Sequence, residues 1–274
     1  MIVIRSCSGF DELESCVQLQ METWGYDPAD VFPRRGFLLA QKIGGQVIGA
    51  FDSETANTPA DVGAESLVGF AFAWPGVKIS EQGPKAYLHS HMLAVREGYR
   101  NRGLGAQLKL EQRREALERE IRHMEWTFDP LEIKNAYLNI HKLGAIVCRY
   151  EVDFYGLSSS RLQGGLPTDR LVAEWRLDSP RVEAILEGRP AATRSIREKI
   201  EERIAVPASI REWKASEADR ERALAVQLEN RRQFQQAFSQ GLAVVGFTRD
   251  AEGNGIFELG PLTQVEAHLQ YQGM

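Results

Sequence analysis

The chain has 274 residues, 43% of them hydrophobic and 26% charged, with a formal net charge of -5. That length suits one large domain or a medium domain with a smaller companion, and the balance is that of a globular protein. No basic excess points to a nucleic-acid partner, no apolar run is long enough to span a bilayer, and the N-terminus lacks the basic and apolar regions of a signal peptide.

Ile2, Val3 and Ile4 open a first strand. Ser8 and Asp11 offer a capping box for a helix whose apolar positions, Leu13, Val17, Met21 and Trp24, follow at near-helical spacing up to Gly25. After a loop through Pro33, the apolar run Phe37, Leu38, Leu39, Ala40 is short enough for a strand. Gly44 and Gly45 then read as a hairpin turn into a strand over residues 46–51. Residues 52–65 read as a surface loop, and residues 67–74 as a strand ended by Pro75 and Gly76. A strand over residues 87–95 follows, then a basic turn with two glycines and a helix over residues 104–121. Residues 124–128 suit a strand closed by Asp129 and Pro130, and residues 135–143 a helix stopped by Gly144. Residues 146–155 alternate loosely as a strand, and residues 170–177 are strand-like beyond a glycine- and serine-rich connection. This order argues for an α+β chain, a mixed sheet with helices on its faces.

From residue 178 onward the pattern changes to a small α+β appendage. It offers a short helix over residues 179–187 and a long helix over residues 216–240, with Leu224, Leu228, Phe234 and Phe238 among its apolar positions. A hairpin of residues 241–248 and 256–259 follows. The appendage either packs on the main sheet or extends it. The predicted organisation is therefore residues 1–177 as one domain and residues 178–274 as an extension of unknown role. Cys7, Cys16 and Cys148 have no metal-ligand spacing and fit reduced thiols in a cytoplasmic protein without a bound metal.

Chemistry concentrates in residues 93–108. A strand feeding a helix through Arg100-x-x-Gly103-x-Gly105 leaves backbone N–H groups unpaired at the helix start, where they and the helix dipole attract a phosphate. The glycines let that backbone approach a ligand closely. Arg100 and Arg102 flank them and are placed to meet an anion. This segment resembles the Q/R-x-x-G-x-G/A signature of the GNAT superfamily of acyl-CoA-dependent N-acetyltransferases. A second segment, Asn135-Ala136 followed by Lys142-Leu143-Gly144-Ala145, resembles that family's second coenzyme-binding motif. The two stand one helix and one strand apart, as the family's fold requires.

The resemblance implies a GNAT-like fold: a central, mostly antiparallel sheet with two splayed parallel strands and helices on both faces. It implies direct acyl transfer from acetyl-CoA, or another acyl-CoA, to an amine of a small molecule or peptide. No nucleic acid or membrane partner is expected, and a homodimer is left open. The backbone of Arg100, Asn101, Arg102, Gly103, Leu104, Gly105 and Ala106 would hold the pyrophosphate. Leu93, Ala94 and Val95 would pair with the pantetheine arm, and Asn135 would bond to that arm from the other side. A base must take the ammonium proton. The candidates are His89 and His91, which alternation places on one face with Leu93, then Asp129, then Glu125 in a solvent-facing slot. The family's thiolate proton donor is a tyrosine in the second motif, and here that position is Ile140. Tyr137, one helical turn earlier, is the replacement candidate, with His141 pointing about 100° further round. The missing tyrosine keeps a second reading open, a non-catalytic coenzyme A-binding regulatory protein. Arg170, after Gly164, Gly165 and Asp169, is a candidate for binding an acceptor carboxylate. A turn closed by an Asp169–Arg170 contact is the simpler alternative.

Overall fold

The computed structural model describes residues 1–54, 63–80, 83–189 and 200–262. It divides into two compact units, one of residues 1–78, 84–124 and 159–161, the other of residues 79–83, 125–158 and those from 162 on.

The first unit carries strands β1 (Ile2–Ser6), β2 (Gln46–Asp52), β3 (Leu67–Ser80) and β4 (Gly83–Val95), hydrogen-bonded in that order. β1 and β3 both run antiparallel to β2. Helices α1 (Gly9–Trp24) and α2 (Arg34–Lys42) cover one face, and α3 (Leu104–Glu118) the other. On the first face Leu13, Cys16 and Leu19 of α1 pack with Phe37 and Ala40 of α2 and with Phe70, Phe72 and Met92 of the sheet. On the second, Leu104 and Leu108 of α3 meet Ile48, Ala50, Val68 and Ala71. Each of the larger of these side chains contributes roughly 1.5–3 kcal/mol when removed from water.

The N-terminus of α1 is closed by Glu12 rather than Asp11. The amide of Ser8 donates to Glu12 Oε2 at 2.7 Å, and Arg5 clamps both carboxylate oxygens at 2.8 and 2.7 Å. Gly25 ends the helix in the left-handed region, φ 62°, returning its N–H to the carbonyl of Met21.

Three expectations fail here. Residues 37–40 are helical, because Phe37 and Ala40, three apart, are the positions that face the core while Leu39 between them is 55% exposed. Gly44 and Gly45 consequently join a helix to a strand and make no hairpin. Gly45 is required by crowding, since a Cβ there would lie 2.5 Å from the carbonyl oxygen of Ala73. β3 also runs through Pro75 and Gly76 to Ser80, and Gly76 serves the fit against the Tyr87 ring, 2.4 Å from where its Cβ would stand. The loop expected over residues 52–65 falls mostly on residues outside those described.

The second unit contains β5 (His123–Phe128) from Glu125 on, β6 (Ile146–Glu151), β7 (Arg170–Arg176), β8 (Glu202–Val206), β9 (Leu242–Arg249) and β10 (Gly255–Pro261), in the order β5-β7-β6-β9-β10-β8. α4 (Ile133–Ala136) runs into a π-helical turn, Tyr137–Lys142, and α5 (Pro180–Leu186), α6 (Ile210–Ala215) and α7 (Arg220–Ser239) follow. β9 joins β6 at Val147 and Val244, antiparallel, so the C-terminal strands extend the sheet of this unit. Phe234 of α7 packs on Tyr150 at 5.8 Å and on Phe257 at 5.1 Å, tying the long helix to both halves of it. Compactness thus divides the chain at Met124/Glu125, whereas the family resemblance ends near residue 177. β8 went unread in the sequence because Glu202 and Arg203 mask its alternation, with only Ile204 and Val206 fully inside.

Candidate functional site

The strand–loop–helix of residues 93–106 belongs entirely to the first unit. β4 ends at Val95, a single 3₁₀ turn spans Glu97–Tyr99, and α3 starts at Leu104. Asn101, φ 61°, and Gly103, φ 80°, are both left-handed. A side chain at Gly103 would meet only the end of Gln107, 3.9 Å away, so this glycine is demanded by its backbone conformation rather than by space. Gln107 N–H returns to the Gly103 carbonyl at 3.1 Å. Among the described residues, the amides of Arg102, Gly103, Leu104, Gly105 and Ala106 meet no backbone acceptor. The result is a run of donors at a helix N-terminus, the arrangement that suits a phosphate group.

The two arginines beside that run are not equivalent. Arg100 folds back, its Nε donating to the Val95 carbonyl at 2.9 Å. Arg102 lies over the Tyr99 ring, 5.2 Å from its centroid, and lines a cleft with Asp52 and Glu54. Tyr99 Oη donates to Asp52 at 2.7 Å on the same side. Leu93 and Val95 pack toward α3, and Ala94 packs on the opposite face.

His89 and His91 share a face, with ring centroids 6.1 Å apart. Ser90 between them points to α3, where buried Lys109 donates to its hydroxyl at 2.7 Å. Leu93, expected beside the histidines, is on the other face. His91 meets Phe32 and Phe72 while Met92 joins the same cluster, so the strict alternation slips by one residue at that pair. His91 as a residue is nonetheless exposed on β4. Desolvation by the surrounding aromatic groups, assisted by His89, lowers its pKa from 6.5 to about 4, which keeps the imidazole neutral.

In the second unit, Asp129 is already engaged. Its Oδ2 accepts from Lys214 Nζ at 2.6 Å, and its Oδ1 accepts from the Leu131 amide at 2.8 Å. Lys214 also reaches Glu132 at 3.1 Å. Burial by itself would depress the Lys214 ammonium, but the Asp129 and Glu132 charges outweigh it and leave the pKa raised. Glu125 is not solvent-facing: it is buried and pairs with Arg149 Nη2 at 2.9 Å. Asn135 is exposed on α4.

The π-helical turn changes the reading of the second motif, because 100° per residue does not apply across it. Ile140 is buried in the core, and Tyr137 shares its face with His141 instead. Those rings stack 4.5 Å apart, with Arg249 and Lys142 over the Tyr137 ring at 5.4 and 5.6 Å. Tyr137 is therefore a half-exposed phenol among cations. Asp169 does not close a turn with Arg170 through its carboxylate. Fully buried, it takes a bidentate pair from Arg231 at 2.8 and 2.9 Å and a bond from Tyr150 Oη at 2.6 Å. Arg170 donates to the Asp169 main-chain oxygen and to Gln163, and lies over Tyr155. Lys214 and Arg231 had no signal in the sequence, being cations on helices remote from their partners.

Strand, loop of open amides and helix stand here in a chain whose fold is of the GNAT type. Arabidopsis thaliana NAA60 solved with acetyl-CoA superposes with a TM-score of 0.52 at 18% identity, over 65% of this chain and 100% of that one. The same protein solved with a bisubstrate analogue gives 0.50 at 17% identity, over 64% of this chain and 97% of that one. No family sequence model and no curated protein sequence matches the chain.

Proposed function

We propose that this protein is an acyl-CoA-dependent N-acyltransferase, moving an acetyl or related acyl group from coenzyme A directly to an amine. The observation that carries the reading is the run of unengaged amides over residues 102–106, opened by left-handed Gly103, in a fold like that of an acetyl-CoA-binding protein. In this reading the loop holds the pyrophosphate, and Leu93, Ala94 and Val95 offer main-chain groups to the pantetheine arm. A helix N-terminus provides that binding without a metal or a mobile side chain.

Acyl transfer needs a neutral amine and a protonated leaving thiol. His91 and His89 are the candidates to take the ammonium proton directly or through a water; burial keeps His91 unprotonated at neutral pH and also weakens it as a base. Both oxygens of Asp129 are occupied, which argues for a structural role there. The acceptor is a small-molecule or peptide amine.

Release of free thiol from acetyl-CoA across a panel of amines and N-terminal peptides tests this reading. Turnover should fall by about 10²-fold or more in His91→Ala if that imidazole is the base. Acetyl-CoA bound tightly with no thiol release on any acceptor would count against catalysis.

A further inference from the structure

We propose that Lys109 is a positioning residue for the coenzyme. Through Ser90 it fixes α3, which opens with the unengaged amides, against β4, which ends in the main-chain groups offered to the pantetheine arm. The inference rests on the acyl-CoA reading and concerns the first unit alone. Lys109 Nζ donates to Ser90 Oγ at 2.7 Å, and that hydroxyl donates onward to Gln112 Oε1 at 3.0 Å. Gln46, at the start of β2, donates from Nε2 to the Gln112 carbonyl at 3.0 Å. Lys109 and Gln112 are neighbours on one face of α3, so a connected set of hydrogen bonds joins that helix to two strands of the sheet.

All four of these residues are buried, Lys109 with only 2% of its surface exposed. Withdrawal from water pushes the Lys109 ammonium well below its ordinary pKa. Such a group costs stability, and it stands where apolar side chains already hold the helix: Leu104 and Leu108 pack on Ile48, Ala50, Val68 and Ala71. Apolar contact is non-directional and tolerates sliding, whereas hydrogen bonds fix register and rotation. Orientation is therefore what the buried set adds, and its place gives that orientation a use. Lys109 follows the first turn of α3, and Ser90 precedes the last turns of chain before Val95 on β4. Between them Gly69 leaves no slack, since a Cβ there would lie 3.1 Å from the Ala94 carbonyl oxygen and 3.3 Å from Leu108 Cδ1. A turn or slide of α3 at this contact would move the amides of residues 102–106 against the main chain of Leu93, Ala94 and Val95. The pyrophosphate and the pantetheine arm would then no longer be held in register.

Calorimetric titration of the full chain with acetyl-CoA tests the assignment, in Lys109→Met and Ser90→Ala singly and combined. Lys109→Met keeps most of the length of the side chain and removes the buried amine, so its melting temperature should stay at or above that of the wild type. Each single variant should weaken acetyl-CoA binding roughly tenfold, the worth of about one hydrogen bond, with the number of sites per chain unchanged. Combined, they should weaken it no more than the stronger of the two, because both break the same tie. A residue that only supported the fold would instead lower the number of binding-competent chains and leave the affinity of the rest intact. The proposal is overturned if both variants bind like the wild type, if their effects add, or if only the number of sites falls. Should Lys109→Met fail to fold, Ser90→Ala, which deletes a single oxygen, carries the same comparison. A wild-type chain that binds no acetyl-CoA overturns the coenzyme reading and this inference with it, whereas affinity unchanged by the variants overturns this inference alone.

Discussion

Whether an imidazole accepts a proton depends on the cost of solvating the charge it would gain, and at His91 the aromatic rings around it raise that cost. Its pKa of about 4 lies below the ordinary 6.5, so the folded state binds fewer protons than the unfolded chain between those values. Stability from this group is complete above pH 6.5 and is lost as pH falls toward 4. Melting temperatures recorded across that window should decline less steeply in His91→Gln than in the wild type; parallel slopes would assign the acid sensitivity to other groups. Lys214 presents the opposite case, a cation made stable by two carboxylates. Lys214→Met should cost about 2–4 kcal/mol, because it leaves the largely buried Asp129 without its counter-charge while the more exposed Glu132 is compensated by water. Urea denaturation measures this directly, and a loss below about 1 kcal/mol would mean that the pair is effectively solvated.

For the elements, the decisive geometry is the entry to α3. A β-branched residue at φ 80° is strained by about 1–2 kcal/mol, and relief would rotate the amides that follow. If the loop holds coenzyme A as proposed, Gly103→Val should abolish acetyl-CoA binding while lowering the melting temperature only modestly, and calorimetry with unchanged affinity would overturn that assignment. Much of this element was legible beforehand, since a glycine-opened helix start is a local property of the chain. The π-helical turn over Tyr137–Lys142 was not. Nothing in residues 135–143 announces the extra residue in the turn, and that residue sets Tyr137 on His141 while Ile140 enters the core.

On the scale of the whole molecule, residues 178–189 and 200–262 are built into the second unit through β9 beside β6, Arg181 on the Gly144 and Val245 carbonyls, and Arg231 on Asp169. A chain ending at residue 177 would expose the β6 edge and leave Asp169 as a buried carboxylate without its guanidinium. It should lose cooperative unfolding of the second unit, visible as rapid proteolysis within residues 125–177. Retention of a native-like melt by the shortened chain would show that the second unit folds without the residues beyond 177.

The sequence by itself determined the alternation of strands and helices, the glycine-opened loop of residues 100–106 and the family-like order of the two motifs. All of these rest on spacing over a few residues, through backbone propensity and the helix terminus. Only the tertiary structure decided which charged groups are occupied. Lys214 reaches Asp129 across 85 residues and Arg231 reaches Asp169 across 62, and no local pattern encodes such a pairing. It also decided that residues 37–40 form a helix. A four-residue apolar run fits a strand or a helix equally well until the core beside it selects the face that is buried.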